Sequence, residues 1–212
     1  MRWRQRLSLS VLVLTVFTLA ACHPLPVARE GPSEKTFDFT EPLEPGGRVE
    51  LKAYKGEIRI RTWEQPQVAV HAVVRPGSEF FPDERWQYTT VEVIRWGNTV
   101  RIRSRTERGP RIVIGFYSES EPYVDYDIQL PRRVQLELDD YKSHTVINGL
   151  EGALRFNTYK GDAEVSEFRG HFDLETYKGN IRLELVDLTE PSTVETYRGE
   201  FDLRVRGDTS FR

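Results

Sequence analysis

The sequence predicts an all-β protein. Its body reads as short strands stacked into a β-solenoid or two-layer, β-helix-like repeat, with an antiparallel β insertion and no substantial helix beyond an N-terminal signal segment. Three observations carry this. From Phe37 onward, apolar residues alternate by two and never at helical period. A Tyr-Lys-Gly-like triplet recurs at near-constant spacing, and a second series of landmarks falls midway between its copies.

Composition narrows the function classes. Of 212 residues, 38% are hydrophobic and 30% are charged, so much of the surface is solvated. The single Cys excludes an internal disulfide framework and a zinc site built on several thiolates. His71, His144 and His171 have no ligand spacing, and no metal or cofactor is expected. A formal charge of −3 removes the case for broad electrostatic binding to nucleic acid.

Residues 1–21 differ from everything after them. Arg2, Arg4 and Arg6 are followed by the apolar run LSLSVLVLTVFTLAA at 7–21. That run falls short of the roughly 20 apolar residues of a membrane span and matches the h-region of a secretory signal. It ends in Leu19-Ala20-Ala21-Cys22, which resembles the bacterial lipoprotein lipobox. The resemblance implies a diacylglycerol thioether on Cys22, cleavage before it, and acylation of the new amino group. Two or more acyl chains make a stable membrane anchor, where one alone is marginal. Cleavage would leave 27 basic against 33 acidic residues, a formal charge of −6. It would also leave a chain with neither Met nor a free thiol, which suits an oxidising compartment. His23 follows the Cys where Asp would favour inner-membrane retention, so the resemblance favours the outer membrane in a diderm cell. Residues 22–36 carry Pro24, Pro26 and Pro32 and read as an extended tether.

The domain proper is expected over 37–212. Alternation marks strands at Val49–Ala53, Ile58–Ile60, Val68–Val73, Val91–Val93, Val100–Ile102, Ile112–Ile114 and Val134–Leu138. The segment 75–87, with Pro76, Phe80, Phe81, Pro82 and Trp86, breaks the pattern. Residues 75–130 therefore read as an antiparallel insertion packed on one end or face of the solenoid.

The repeat coils are clearest over 141–205. Tyr141-Lys142-Ser143, Tyr159-Lys160-Gly161, Tyr177-Lys178-Gly179 and Tyr197-Arg198-Gly199 recur at spacings of 18, 18 and 20. Leu150, Phe168 and Leu188 lie between them, so the unit is a half-coil of nine residues with one step of 11. Four and six residues after each landmark come the inward pairs Thr145/Ile147, Leu154/Phe156, Ala163/Val165, Phe172/Leu174, Ile181/Leu183, Ser192/Val194 and Phe201/Leu203. Two residues added to a strand would keep every side chain on its own face. Repeats near 18 residues imply coils that are stable only when stacked. Tyr54-Lys55-Gly56 is an earlier copy. Gly at the corner suggests left-handed backbone there, and Ser143 then marks a different or strained corner.

These features resemble the bacterial putative-adhesin domains of unknown function, related to the toast-rack domains of envelope proteins. The likeness rests on VDYDIQLPRRVQLEL at 124–138 and INGLEGALRFNTYKGDAEVSEFRGHFDLETYKGNIRLELV at 147–186, and it covers roughly residues 37–205. It implies stacked short strands with Gly corners in the cell envelope. The family often has Asn-Gly at the corner; here Tyr-Lys-Gly takes that place, and only Asn148-Gly149 keeps the usual form.

Little chemistry is visible. Asp125 and Asp127 share a strand face at a separation that would suit sugar hydrolysis, but they alternate with Val124, Tyr126 and Ile128 as the solvent side of a strand. Asp139 and Asp140 precede a corner, where Asp is ordinary. Arg206-Gly207-Asp208 matches an integrin-binding tripeptide at a position where the nine-residue ruler puts a corner.

The most unusual surface feature is the stripe of Tyr54, Lys55, Tyr141, Lys142, Tyr159, Lys160, Tyr177, Lys178, Tyr197 and Arg198. Stacking at about 4.8 Å would form a tyrosine column beside a column of cations. Glu175, Glu195 and Glu200 are the expected counter-charges. Aromatic faces beside cations would otherwise suit sugars or anionic glycans. The last coil offers an open strand edge, with Arg204 and Arg206 as its guards, unless a partner adds a strand or the chain folds back.

The expected role is a lipid-anchored, non-enzymatic interaction or scaffold module of the bacterial envelope. Its partners would be the membrane, through Cys22, and an envelope protein or polysaccharide, with no nucleic acid. The alternatives are an accessory of an envelope-stress sensor and, more distantly, a carbohydrate-active enzyme.

Overall fold

The computed structural model describes residues 34–77, 84–107 and 121–206, which lie in a single compact unit. The signal segment, Cys22, most of the tether, Phe80, Phe81, Pro82, the strand expected at 112–114, and Gly207-Asp208 lie outside the described residues.

The fold is all-β. Among the described residues there are fourteen strands and one short 3-10 turn, Glu84–Tyr88. The strands are β1 (Lys35–Pro42), β2 (Arg48–Lys52), β3 (Lys55–Trp63), β4 (Gln67–Arg75), β5 (Thr89–Trp96), β6 (Thr99–Thr106) and β7 (Tyr123–Pro131). After them come β8 (Arg133–Asp140), β9 (Lys142–Asn148), β10 (Glu151–Thr158), β11 (Asp162–Lys178), β12 (Ile181–Leu188), β13 (Thr193–Arg198) and β14 (Phe201–Val205). β1 starts inside the segment read as tether, so its last two residues, Lys35 and Thr36, are strand.

Hydrogen bonding arranges the strands in two layers. One layer runs β1-β4-β7-β3-β9, then the first part of β11, then β12 and β14. The other runs β5-β6-β2-β8-β10, then the second part of β11, then β13. β11 joins the layers because it passes from one to the other, with Glu167 at φ 53 in the crossing. Five coils are stacked in parallel: β2/β3, β8/β9, β10 with early β11, late β11 with β12, and β13/β14.

The register follows the nine-residue ruler. Leu154 pairs with Phe172 and Phe156 with Leu174, a shift of 18. Asp173 pairs with Thr193, a shift of 20. Gly170 still pairs with Leu188 at 18, so the two extra residues lie in the connection between Leu188 and Thr193 rather than in a strand. Facing is preserved all the same.

The interior is one apolar cluster. Of the inward pairs, Thr145/Ile147, Leu154/Phe156, Ala163/Val165, Phe172/Leu174 and Ile181/Leu183 are buried. Ser192, Val194 and Phe201 are only half-buried, and Leu203 is 39% exposed. These residues lie in or beside β13 and β14, over which no further coil lies among the described residues.

The insertion lies at the opposite end of the stack. It is not wholly antiparallel: β6 and β7 continue the parallel stack on β2 and β3, while antiparallel pairing joins β5 to β6 and, from outside the segment, β4 to β7 and β1 to β4. Lys35 joins the two layers edge to edge: its Nζ donates to the Gln87 and Thr89 carbonyls at 2.8 and 2.9 Å. Arg95 and Glu41 add an ion pair at 3.7 Å.

The expected positive-φ backbone is present at the corner glycines Gly56 and Gly199, at φ 142° and 155°, but not at the two between them. Gly161 and Gly179 do not have positive φ. A Cβ on Gly179 would run into the Gly161 carbonyl of the coil beside it, so these positions are Gly because backbones approach closely. Ser143 fits the equivalent corner because Asp140 holds it: its backbone N–H donates to Asp140 Oδ2 at 2.8 Å and its hydroxyl to Oδ1 at 2.6 Å.

Candidate functional site

The corners that carry the tyrosines all lie on one edge of the stack. Backbone hydrogen bonds run through them from coil to coil. Lys142 N donates to Tyr54 O, Lys160 N to Tyr141 O and Lys178 N to Tyr159 O, each at 2.9 Å. Side chains add a second line, with Asn180 N donating to Asp162 Oδ1 at 2.7 Å and Glu200 N to Asn180 Oδ1 at 3.1 Å. The corners are therefore in register, and so are the side chains they carry.

Tyr54, Tyr141, Tyr159, Tyr177 and Tyr197 form one continuous column. Successive ring centroids are 4.7, 5.1, 4.9 and 4.9 Å apart, and the interplanar angles are 8°, 14°, 1° and 3°. Each inner ring is thus covered on both faces by its neighbours. The column presents ring edges and hydroxyls to solvent, which corrects the expectation of open aromatic faces. Tyr197, 66% exposed, has no ring stacked on its outer face among the described residues. At the other end, burial pushes the Tyr54 phenol above its ordinary value, with Tyr141 and Glu121 adding to the effect.

The cations flank this column. Lys160 Nζ lies 5.3 Å from the Tyr159 ring centre, Lys178 Nζ 5.4 Å from that of Tyr177, and the Arg198 guanidinium 5.6 Å from that of Tyr197. Lys142 is exposed in the same line. Lys55 departs from it. Its backbone is in register with Lys142, but its ammonium lies 3.8 Å from the Tyr123 ring centre and donates to the Gly77 carbonyl at 3.2 Å. A neighbouring strand of the insertion has captured it.

The expected counter-charges are not in place. Among the described residues, Lys142, Lys160, Lys178 and Arg198 make no ion pair. Glu175 and Glu195 are register partners of each other in the β11/β13 pair, and the Glu200 backbone is bound to Asn180. The cation column is therefore uncompensated by any direct carboxylate contact, although its members repel at this spacing.

The paired acids are otherwise engaged. Asp125 pairs with Arg75 and accepts from Glu57 N–H at 2.9 Å. Asp127 takes Arg61 on both oxygens at 2.9 Å. Asp139 pairs with Lys52 at 3.7 Å. His71 pairs with Asp38 at 2.7 Å, and His171 lies 3.8 Å from Glu190. Arg206 reaches back along the stack to Glu184 and Glu167 instead of guarding the edge. Among the described residues, no group of three or more His, Cys, Asp and Glu side chains is placed to hold a metal.

On the edge away from the tyrosines, Trp63, Pro45, Pro66 and Pro131 border a cavity of about 270 Å³. Its two carboxylates, Glu64 and Glu151, both pair with Arg132, at 3.5 and 3.8 Å. The sequence reading missed this cavity, because its walls come from four separated segments. It also missed the burial of Asp140. That signal was available: Asp140 occupies the position just before the corner tyrosine, where the later coils have Thr158, Thr176 and Thr196.

No protein-family model matches the chain, and no curated protein matches it. Several solved structures align with it. A putative cell adhesion protein from Clostridium sporogenes aligns with a TM-score of 0.49 and 11% identity, covering 81% of this chain and 100% of that one. A putative adhesin from Bacteroides fragilis aligns with a TM-score of 0.26 and 9% identity, over 82% and 99% of the two chains. One from Parabacteroides distasonis gives a TM-score of 0.19 and 8% identity, over 79% and 97%.

Proposed function

We propose that this chain is a non-enzymatic binding module of the bacterial cell envelope, anchored by lipid on Cys22, which holds an acidic polysaccharide along its tyrosine–cation edge. The observation that carries this reading is the uncompensated column of Lys142, Lys160, Lys178 and Arg198 beside stacked phenol edges. An extended polyanion laid along the stack relieves the repulsion between these cations, and the phenol hydroxyls supply hydrogen bonds to sugar oxygens. The net negative charge of the chain disfavours such a polymer elsewhere on the surface. The charged start, the apolar run and Leu19-Ala20-Ala21-Cys22 support the anchor.

The test is titration of the full-length chain in detergent with polygalacturonate, and with dextran as a neutral control. Binding to polygalacturonate is expected, weakening as salt is added. The K160E/K178E double variant should lose at least about tenfold in affinity while melting at the same temperature, since both side chains are exposed or half-exposed. Equal binding of dextran, or an unaffected double variant, overturns the reading.

A further inference from the structure

The two ends of the stack are finished differently. At the insertion end, Lys35 and the Arg95–Glu41 pair join the edge strands of the two layers. At the other end, among the described residues, β13 pairs only with β11 and β14 only with β12. Val194, Phe201 and Val205 are left half-buried and Leu203 exposed, although their counterparts one coil earlier, Leu174, Ile181, Leu185 and Leu183, are buried.

The open edge of β14 has a definite hydrogen-bonding face. Ile181 N donates to Glu200 O, and Arg206 N to Leu185 O, at 2.9 and 2.8 Å. The even-numbered residues of β14 therefore face β12. By the alternation of a strand, Phe201, Leu203 and Val205 turn their N–H and C=O groups to the open side. The same three residues point their side chains inward, and Asp202 and Arg204 point outward.

We propose that this edge pairs with the same edge of a second copy of the chain, forming a twofold dimer joined through antiparallel β14 strands. The five residues Phe-Asp-Leu-Arg-Val are self-complementary about their centre. With the axis at Leu203, that residue meets its own counterpart, and Phe201 meets Val205 of the other copy. Each of these pairs exchanges two backbone hydrogen bonds. Asp202 then lies opposite Arg204 of the other copy, and the reverse, so both outward pairs join opposite charges. An axis perpendicular to the layers also acts on β13 beneath. The apolar ends of the two stacks cover each other, which is the self-complementary contact a twofold interface requires. It also closes an edge that would otherwise be free to add strands.

The test is sedimentation velocity of the full-length chain in detergent across a concentration series. A dimer is expected. D202K sets like charges opposite each other twice, and the dissociation constant should rise roughly tenfold. L203P removes an N–H that faces only the open edge, so it should abolish the dimer while the circular-dichroism spectrum stays that of a β protein. Deletion of residues 207–212 should leave the dimer in place. A monomeric wild type, a dimer indifferent to D202K and L203P, or association that begins only when 207–212 are removed would each overturn the proposal. The last result would assign the edge to the chain's own tail.

Discussion

The Tyr159 and Tyr177 rings lie 4.9 Å apart and within 1° of parallel, one strand spacing from each other on successive coils. The bond from Lys178 N to Tyr159 O fixes that distance, so the stack is a consequence of backbone register. Offset aromatic pairs are worth about 0.5–1.5 kcal/mol beyond their area. Tyr177→Ala removes two such pairs and Tyr197→Ala removes one. Urea denaturation should show Tyr177→Ala costing about 1–3 kcal/mol, roughly twice the cost of Tyr197→Ala. Equal costs would mean that the column does not act as a chain of pairs.

Gly179 separates two explanations of corner glycines. Its backbone is not left-handed, so conformational freedom alone assigns no penalty to Ala. Its Cβ would meet the Gly161 carbonyl, and relieving that overlap should cost about 1–3 kcal/mol. Gly97 is the opposite case, with φ 57 and nothing within 4 Å. Gly97→Ala should cost about 1 kcal/mol. Thermal melting of both variants checks the order.

Asp140 and Ser143 replace the Thr158/Gly161 pair of the next coil, where Gly161 N–H donates to Thr158 Oγ1 at 2.8 Å. Thr158 also donates to Asp140 Oδ2 at 3.0 Å. Asp140→Ala should cost about 1–3 kcal/mol, because buried donors lose their acceptor. The double change D140T/S143G installs the pair used one coil on. A double-mutant cycle should show it more stable than the sum of its single changes.

The same carboxyl sets a pH dependence. Burial raises the Asp140 pKa above 3.8, outweighing hydrogen bonds from Ser143, the Lys142 backbone and Thr158 that lower it. The folded state thus holds this proton more tightly than the unfolded state. Stability from this group is present below 3.8 and is lost as pH rises through the folded value. Asp140→Asn cannot ionise. The melting temperature of the wild type relative to this variant should therefore fall as pH is raised across that window. A difference that grows in the other direction would contradict the assignment.

Tyr126 is buried in β7, and its hydroxyl has no hydrogen-bond partner among the described residues. Burial pushes its pKa up to about 12, moderated by nearby Ser104. Tyr126→Phe removes an unsatisfied polar group and keeps the ring. It should stabilise the protein by about 1 kcal/mol in urea denaturation.

The period of the coils, the inward residues and the alignment of the tyrosines were all legible in the sequence. A parallel stack with constant coil length maps sequence spacing directly onto space. Thr145, Leu154, Ala163, Phe172 and Ile181 can be picked out by counting, because each lies four residues past a landmark. Gly corners were legible as positions, and the backbone cause holds at Gly56 and Gly199, but the cause at Gly179 was not legible. The Gly179 restriction comes from the neighbouring coil, whereas the chain's own φ leaves it free.

What only the tertiary structure decided depends on segments far apart along the chain. Lys35 closes one end of the stack by binding Thr89, 54 residues away. Lys55 leaves the cation column because Tyr123, from the far side of the insertion, offers it a ring face. The tyrosines cover each other's faces because the coils lie one strand spacing apart, a distance that spacing in sequence does not contain. Alternation and period are covalent properties of the chain. Which end is closed, which cation is captured and which ring surface stays free are set by packing between remote parts.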